Sequence, residues 1–328
     1  MWKKPAVDVL RGASEAQSRG IAAPGVAVAI GNFDGVHRGH QALVRTVVER
    51  APALGVRPAI LTFDPHPARL LSPDHAPPLL LAPARKLELL ALAGIEIAVL
   101  EPFTHALAAL SPDAFASDIL AGALGARLVC VGWDFTFGKK RAGTPDHLRE
   151  LGERLGFAVE VVGAVKVAGA VCSSTRIRAL IAEGRVEDAA VLLGRPFEIE
   201  GAVVRGAGRG RTIGVPTANL TPEAEVLPRT GVYGATVLLE GGRHARAVVN
   251  VGTAPTFTGA GHPVTVEAHL LDFPPPGASG DLYGQRARLE LRFRLREERR
   301  FPSVDALVAQ IRDDLAVGAA RLGALEEP

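Results

Sequence analysis

The chain has 328 residues, of which 48% are apolar and 22% charged, with a formal net charge of +2. That length favours two globular domains, and that charge balance excludes a broad polyanion-binding face. Two cysteines, Cys130 and Cys172, are too few for a disulfide scaffold or a structural zinc site, which fits a reducing compartment.

The best apolar run, Leu87 to Leu100, is broken by Glu88, Gly94 and Glu96 and falls short of the ~18 residues that span a bilayer. Lys3 and Lys4 are followed by Asp8, Arg11 and Glu15, which leaves no apolar signal core. A cytoplasmic protein is therefore expected, with no membrane or nucleic-acid partner. Oligomeric state is not legible at this level.

Val26–Ile30, Ala59–Phe63, Ile95–Leu100, Arg127–Val131 and Ala158–Val162 are short and apolar throughout, as strands covered on both faces are. Between them lie the helical stretches His40–Leu54, Ala84–Ala93, Pro112–Leu124 and Pro145–Leu155. Gly55, Gly94, Gly125 and Gly156 follow as stop signals. This alternation predicts a parallel, doubly wound α/β sheet. Two more helices, Ser174–Glu183 and Val186–Leu192, close the half, and a domain is expected over residues 1–194.

From Arg195 the texture changes. Glu198–Val204, Gly231–Leu239, Ala245–Val251, Val264–Leu271 and Ala287–Leu295 read as strands separated by turns, which predicts an antiparallel barrel or sandwich over residues 195–328. Val304, Leu307, Val308, Ile311 and Leu315 follow helical spacing after a candidate N-cap, Ser303. No internal repeat is found.

Two segments carry phosphate chemistry in the first half. Gly31, Asn32, Phe33, Asp34, Gly35, Val36, His37, Arg38, Gly39 and His40 follow the first strand and open a helix. That junction lies at the carboxyl end of the sheet, where such sheets bind ligands, and the helix start offers free N–H groups to phosphate. His37 and His40, three apart, can donate to phosphate oxygens without a fixed cation. An isolated HxxH is more often a helix start with two surface histidines; its position after strand one favours the phosphate reading. Ser173, Ser174, Thr175, Arg176 and Arg178 open a later helix with hydroxyls and arginines suited to a polyphosphate. Taken alone, that segment reads more readily as an N-cap followed by solvent-facing arginines.

In the second half, Gly206, Gly208, Gly210, Arg211 and Gly214 precede Pro216, Thr217, Ala218 and Asn219. The glycines suit a nucleotide phosphate, and the neutral oxygens of Thr217 and Asn219 suit Mg²⁺ beside ATP. The alternative is a Gly-rich turn. Glu267 lies on the polar side of an alternating strand, with Thr265 and His269, and by itself reads as an ordinary outward strand glutamate, the commoner case.

Together the first-half segments resemble the nucleotidylyltransferase superfamily, with its HxGH and SSTxxR-type marks. Adding Thr62–Pro67 and Val131–Gly138, the order is similar to the FMN adenylyltransferase half of bifunctional FAD synthetases. The second half resembles riboflavin kinase, through Pro216–Asn219, Gly231–Tyr233, Asn250–Phe257, Val266–Asp272, Leu282–Gly284 and Arg296–Phe301. The resemblance runs from about residue 26 to 318. It departs at Val215, where Phe is usual, at Cys172, where an aliphatic residue is usual, and at Ala254, where Arg is usual.

The resemblance implies a nucleotidylyltransferase sheet, a riboflavin-kinase barrel and two reactions. Riboflavin is phosphorylated by ATP to FMN, and FMN is then adenylylated by ATP to FAD with release of pyrophosphate. It implies Glu267 as the base of the kinase and Mg²⁺ held by Thr217 and Asn219. Gly208, Gly210, Arg211, Gly214 and Arg296 are expected to bind nucleotide or substrate. In the other half, His37, His40 and Arg178 are expected to be catalytic. Gly31, Asn32, Phe33, Asp34, Gly39, Asp64, His66, Asp134, Ser174 and Thr175 are expected to bind nucleotide or flavin. Asp34 is equally read as a Mg²⁺ partner or a turn former. The rival readings are an adenylyltransferase for another acceptor and a decayed flavin sensor. The kinase-like half opposes the first, and the intact His37, His40, Thr217, Asn219 and Glu267 oppose the second.

Overall fold

The computed structural model describes residues 7–205, 217–253, 264–271 and 282–325. Gly208, Gly210, Arg211, Gly214 and Val215 lie outside the described residues, as do Ala254 to Phe257 and Asp272. By packing, the chain forms two compact units, Lys4–Ser173 and Ser174–Pro328.

The first unit holds a six-stranded sheet. Its strands are β1 (Asp8–Leu10), β2 (Val26–Ile30), β3 (Arg57–Asp64), β4 (Ile97–Pro102), β5 (Ala126–Gly132) and β6 (Ala158–Val162), in the order β1-β4-β3-β2-β5-β6. Every pairing is parallel. Chain order reverses between β2 and β5, which places the switch point beside the HxGH segment. All five residues of β2 are buried, as expected for a strand covered on both faces. Its large residues Val26, Val28 and Ile30 face one core with Val99, Val129, Val131, Leu120 and Leu148. Its small residues Ala27 and Ala29 face the other, where the Arg38–Arg50 helix lays down Leu43, Val44 and Val47. Side chains of that size let the helix lie close against the sheet.

Three sequence expectations change in detail. The helix expected over His40–Leu54 stops at Arg50, and Pro52–Leu54 forms a separate 3₁₀ turn, because Pro52 has no N–H to continue the ladder. The Pro112–Leu124 helix begins as α over Pro112–Ala114 and continues as wider π-type turns over Phe115–Ala123. Those turns bury Phe115, Ala116, Ile119, Leu120 and Ala123 together. Strand β1, only three residues long, is too short to display a period.

Cys130 lies fully buried in this sheet, and burial pushes its thiol up to about 12. It acts as a small apolar residue. A short hairpin, β7 (Lys166–Val167) with β8 (Ala170–Val171), precedes the end of the unit.

The second unit is a closed six-stranded barrel. Its strands are β9 (Phe197–Val204), β10 (Ala218–Pro222), β11 (Gly231–Leu239), β12 (His244–Thr253), β13 (Val264–Leu270) and β14 (Arg286–Arg296), ordered β10-β13-β12-β11-β14-β9 and antiparallel throughout. Closure decides between the barrel and the sandwich, and it removes every open edge. The helices Ser174–Ala182 and Val186–Leu193 belong to this unit, the second of them packing on β9 and β14. Arg229 N donates to Ile181 O at 3.2 Å. A Cβ on Gly184 would stand 3.0 Å from Arg294 Nε and 3.1 Å from the Tyr233 hydroxyl.

The terminal helix, Val304–Gly323, starts at Ser303, whose hydroxyl accepts from Ala306 N at 3.1 Å. A Cβ on Gly318 would lie 2.5 Å from Val248 Cγ2, so glycine allows the helix to close on β12.

Candidate active sites

His37 is the N-cap of the Arg38–Arg50 helix. Its Nδ1 accepts the N–H groups of Gly39 at 3.1 Å and His40 at 3.3 Å. An Nδ1 that accepts carries no proton, so the neutral ring bears its hydrogen on Nε2 and can donate it outward. Gly39 makes this fold-back possible: a Cβ there would lie 3.0 Å from His37 Cε1. The His40 ring stacks on His37 at 3.7 Å between centroids and 17° between planes. Its Nδ1 is buried with no hydrogen-bond partner. Burial, then the neighbouring His37, then Lys86 hold the His40 pKa well below its usual 6.5. Burial thus favours the neutral form of the His40 ring.

The turn before them is wound tightly. Phe33 and Val36 have φ of 52° and 41°, a region non-glycine residues seldom occupy, and Gly35 has φ of 84°. Phe33 is fully buried and tilts against His40 at 5.4 Å. Gly31 faces the Phe33 ring, where a Cβ would make ordinary contact at 3.5 Å. Asp34 is 5% exposed, and its Oδ1 accepts Leu80 N at 2.9 Å, tying the turn to the segment before the Pro83–Leu92 helix.

Beside this turn opens a narrow cleft lined by Asn32, Asp34, Phe63, Asp64, His66 and Lys86 among others. Asp64 ends β3. His66 caps the Pro67–Leu71 helix, its Nδ1 accepting Ala68 N at 3.2 Å. Lys86 was not foreseen from sequence, where nothing marks it out from a helix-surface lysine. Asp134 is exposed just past the carboxyl end of β5. Ser174, Thr175 and Arg178 stand on the first two turns of the Ser174–Ala182 helix, within the second unit.

In the barrel, one transverse row brings together several of the residues singled out in the sequence. Asn219 stands opposite Glu267 across β10 and β13, and Glu267 stands opposite Asn250 across β13 and β12. Asn250 in turn faces Val232, which faces Arg296. Directly opposed residues of antiparallel strands share a face, with Cβ atoms roughly 4.5–5.5 Å apart. Val249, Val251, Val266 and Ala268 are buried, so this row lies on the side away from the barrel core. Among the described residues, the side chains of Asn219, Asn250 and Glu267 are engaged in no hydrogen bond or ion pair, and Thr217 stands just before β10. Glu298 also reaches the row: a Cβ on Gly252 would lie 2.8 Å from its Oε1 and 3.0 Å from Asn250 Nδ2. Asn250 and Glu298 lay within segments that marked the family, but no pattern singled them out.

Arg296 is committed to the terminal helix. Its Nε donates to Asp314 Oδ1 at 2.8 Å, one terminal nitrogen to Asp314 Oδ2 at 2.6 Å, and the other to Glu297 O at 2.8 Å. Gln310 Nε2 donates to the same Asp314 at 2.8 Å.

A histidine cradle at the switch point of a doubly wound sheet, in one chain with a barrel whose polar row carries the carboxylate Glu267, defines the class of a two-module phosphate-transferring enzyme. Residues 21–176 match the FAD synthetase family and residues 193–322 the riboflavin kinase family. Bifunctional riboflavin kinase/FMN adenylyltransferase of Pseudomonas fluorescens is 40% identical over 90% of this chain and 93% of its own. The Escherichia coli K12 protein of the same name is 39% identical over 89% and 91%. A solved structure described as a macrolide-efflux protein from Streptococcus pneumoniae superposes with a TM-score of 0.83 and 32% identity, over 95% of this chain and 98% of that one. No helix among the described residues is long and apolar enough to cross a membrane. The chain belongs to the family of bifunctional riboflavin kinase/FMN adenylyltransferases, with the adenylyltransferase module first and the kinase module second.

Proposed function

We propose that each module works through the residues assembled above. The observation that carries this reading is the row in which Glu267, flanked by Asn219 and Asn250, has no hydrogen-bond or ion-pair partner among the described residues. In the kinase, Glu267 accepts the proton of the riboflavin 5′-hydroxyl as its oxygen attacks the γ-phosphate of ATP. Thr217 and Asn219 offer neutral oxygens with no partner among the described residues, the hard donor set that fits Mg²⁺ beside ATP phosphates. When bound, that ion supplies charge neutralisation on the phosphates. Asn250 orients the incoming hydroxyl beside Glu267. Arg296, fastened to Asp314, sets the end of β14 against the site. Gly208, Gly210, Arg211 and Gly214 are assigned to the ATP phosphates.

In the adenylyltransferase, an FMN phosphate oxygen attacks the α-phosphate of a second ATP. The nucleophile is already anionic, so the module needs alignment and charge stabilisation, not a base. His37 and His40 donate to the α-phosphate from their neutral rings. Ser174, Thr175 and Arg178 hold the departing pyrophosphate. Asp134 meets the adenosine, while Asn32, Asp64 and His66 line the flavin end. Gly31, Phe33, Asp34 and Gly39 hold the turn in shape.

We set the working boundary at residues 194/195, just inside the riboflavin kinase match that begins at residue 193, although the packing division comes earlier, at Ser173/Ser174. A cytoplasmic enzyme fits a chain whose two cysteines are buried and unpaired. Incubation with riboflavin, ATP and Mg²⁺, resolved by chromatography, should give FMN followed by FAD. FMN alone would restrict the reading to the kinase, and no conversion would end it.

A further inference from the structure

Lys86 stands in the first turn of the Pro83–Leu92 helix, the end at which the helix dipole disfavours a cation. Its ammonium is nevertheless turned into the cavity beside Asn32, Asp34 and Asp64. It donates to Asn32 O and to Thr62 Oγ1, both at 3.3 Å, at the long end of such bonds. An ammonium has three donors, so a third remains for a ligand. Burial lowers the pKa of Lys86, while Asp34 and Asp64 act to keep it charged. Its charge also reaches His40, where it helps keep that ring neutral. Lys86 therefore lies between the flavin cavity and the histidine cradle. Among the described residues lining the cavity it is the one lysine or arginine.

The reaction brings two anions together at this place. The FMN phosphate carries nearly two negative charges near pH 7 and must approach an α-phosphate that is itself anionic. The buried His40 ring favours its neutral form and offers no fixed positive charge against that repulsion.

We propose that Lys86 is a substrate-positioning residue of the adenylyltransferase that binds the 5′-phosphate of FMN and directs one of its oxygens at the α-phosphate of ATP. An oxygen–phosphorus bond forms between the FMN phosphate and the α-phosphorus. The bond from that phosphorus to the bridging oxygen of pyrophosphate breaks, and its electron pair leaves with pyrophosphate. Lys86 keeps its proton throughout. Its contacts with Asn32 and Thr62 hold the ammonium in the wall of the cavity before FMN arrives.

The inference rests on the adenylylation of FMN proposed above, and wild-type conversion of supplied FMN to FAD tests that reading separately. The test itself is steady-state FAD formation by the full chain with Lys86→Met, varying FMN and ATP in turn. KM for FMN should rise about 10- to 100-fold, the usual worth of a hydrogen bond to a charged group, with KM for ATP within about twofold. Lys86→Arg, which keeps the charge, should recover most of the loss. Phosphorylation of riboflavin by the same preparations reports on the other module. Should Lys86→Met melt well below wild type, the same measurements on Lys86→Gln, which keeps a donor for Asn32 O, decide the matter. An unchanged KM for FMN in a folded variant, or a loss confined to ATP, overturns the proposal.

Discussion

Glu267 stands directly opposite Asn250 on the neighbouring strand, with Asn219 opposite it on the other side. The carboxylate is therefore held between two neutral amides on the polar side of a barrel wall whose other side is packed with Val249, Val251 and Val266. A rigid wall of this kind fixes where the carboxylate can reach.

Replacing Glu267 by Gln keeps the size of the side chain and removes its ability to take a proton. Riboflavin phosphorylation should fall on the order of 10²- to 10⁴-fold in kcat, the usual contribution of general-base catalysis. Conversion of supplied FMN to FAD should not change. Near-normal FMN production would remove Glu267 from the role of base.

His40→Ala should act on the other module alone. Its loss should appear mainly in kcat for FAD formation, because the ring donates to charge that grows in the transition state. FMN formation is the internal control, and a variant that makes FAD at the wild-type rate would exclude His40 from catalysis.

The depressed pKa of His40 also predicts a slope of stability with pH. Below about 6.5 the unfolded chain takes up a proton at this position that the folded chain refuses. Stability of the first unit should therefore be full above that pH and decline as pH falls through it. His40→Asn should flatten that decline. Urea titrations of both proteins between pH 5 and 7.5 would measure it, with equal slopes counting against the burial of His40 as the cause.

Asp314 is 6% exposed and takes a bidentate fork from Arg296. Removing one partner of such a pair leaves the other without compensation. Asp314→Ala should destabilise the barrel unit by about 3 kcal/mol. Replacing Asp314 should also lower kinase activity more than FAD formation, since β14 carries the end of the carboxylate row. A melting temperature equal to wild type would show the terminal helix to be held by its apolar contacts instead.

Ser174–Ala182 and Val186–Leu193 supply a fragment-design test. Both fragments 174–328 and 195–328 contain every kinase segment, and both should phosphorylate riboflavin. The shorter one loses the buried Val186, Leu192 and Leu193, and should be less stable on the order of 3 kcal/mol or more. Equal thermal stability of the two fragments would mean that these helices contribute nothing to the barrel.

The period of the sequence is enough to determine most of the architecture. Val26–Ile30 and Ala158–Val162 are strands at the expected bounds, and Pro145–Leu155 is a helix that ends on a left-handed Gly156 with φ of 83°. These elements read locally because burial on one or both faces imposes an apolar pattern on consecutive residues. The HxGH segment and Glu267 are legible for a similar reason, since their chemistry is compressed into a few adjacent positions or one strand alternation. Tertiary structure alone decides the remainder. Strand β10 had no period to reveal it, and its place between β9 and β13 brings Asn219 opposite Glu267. Lys86 looks like any helix lysine until the Pro83–Leu92 helix turns it towards Asn32 and Thr62, 54 and 24 residues away in sequence. Arg296 shows no sign of Asp314 as a partner in the sequence, and the terminal helix brings the two together. In each case the partner is distant along the chain, and a local pattern carries no record of contacts made only when separate elements pack.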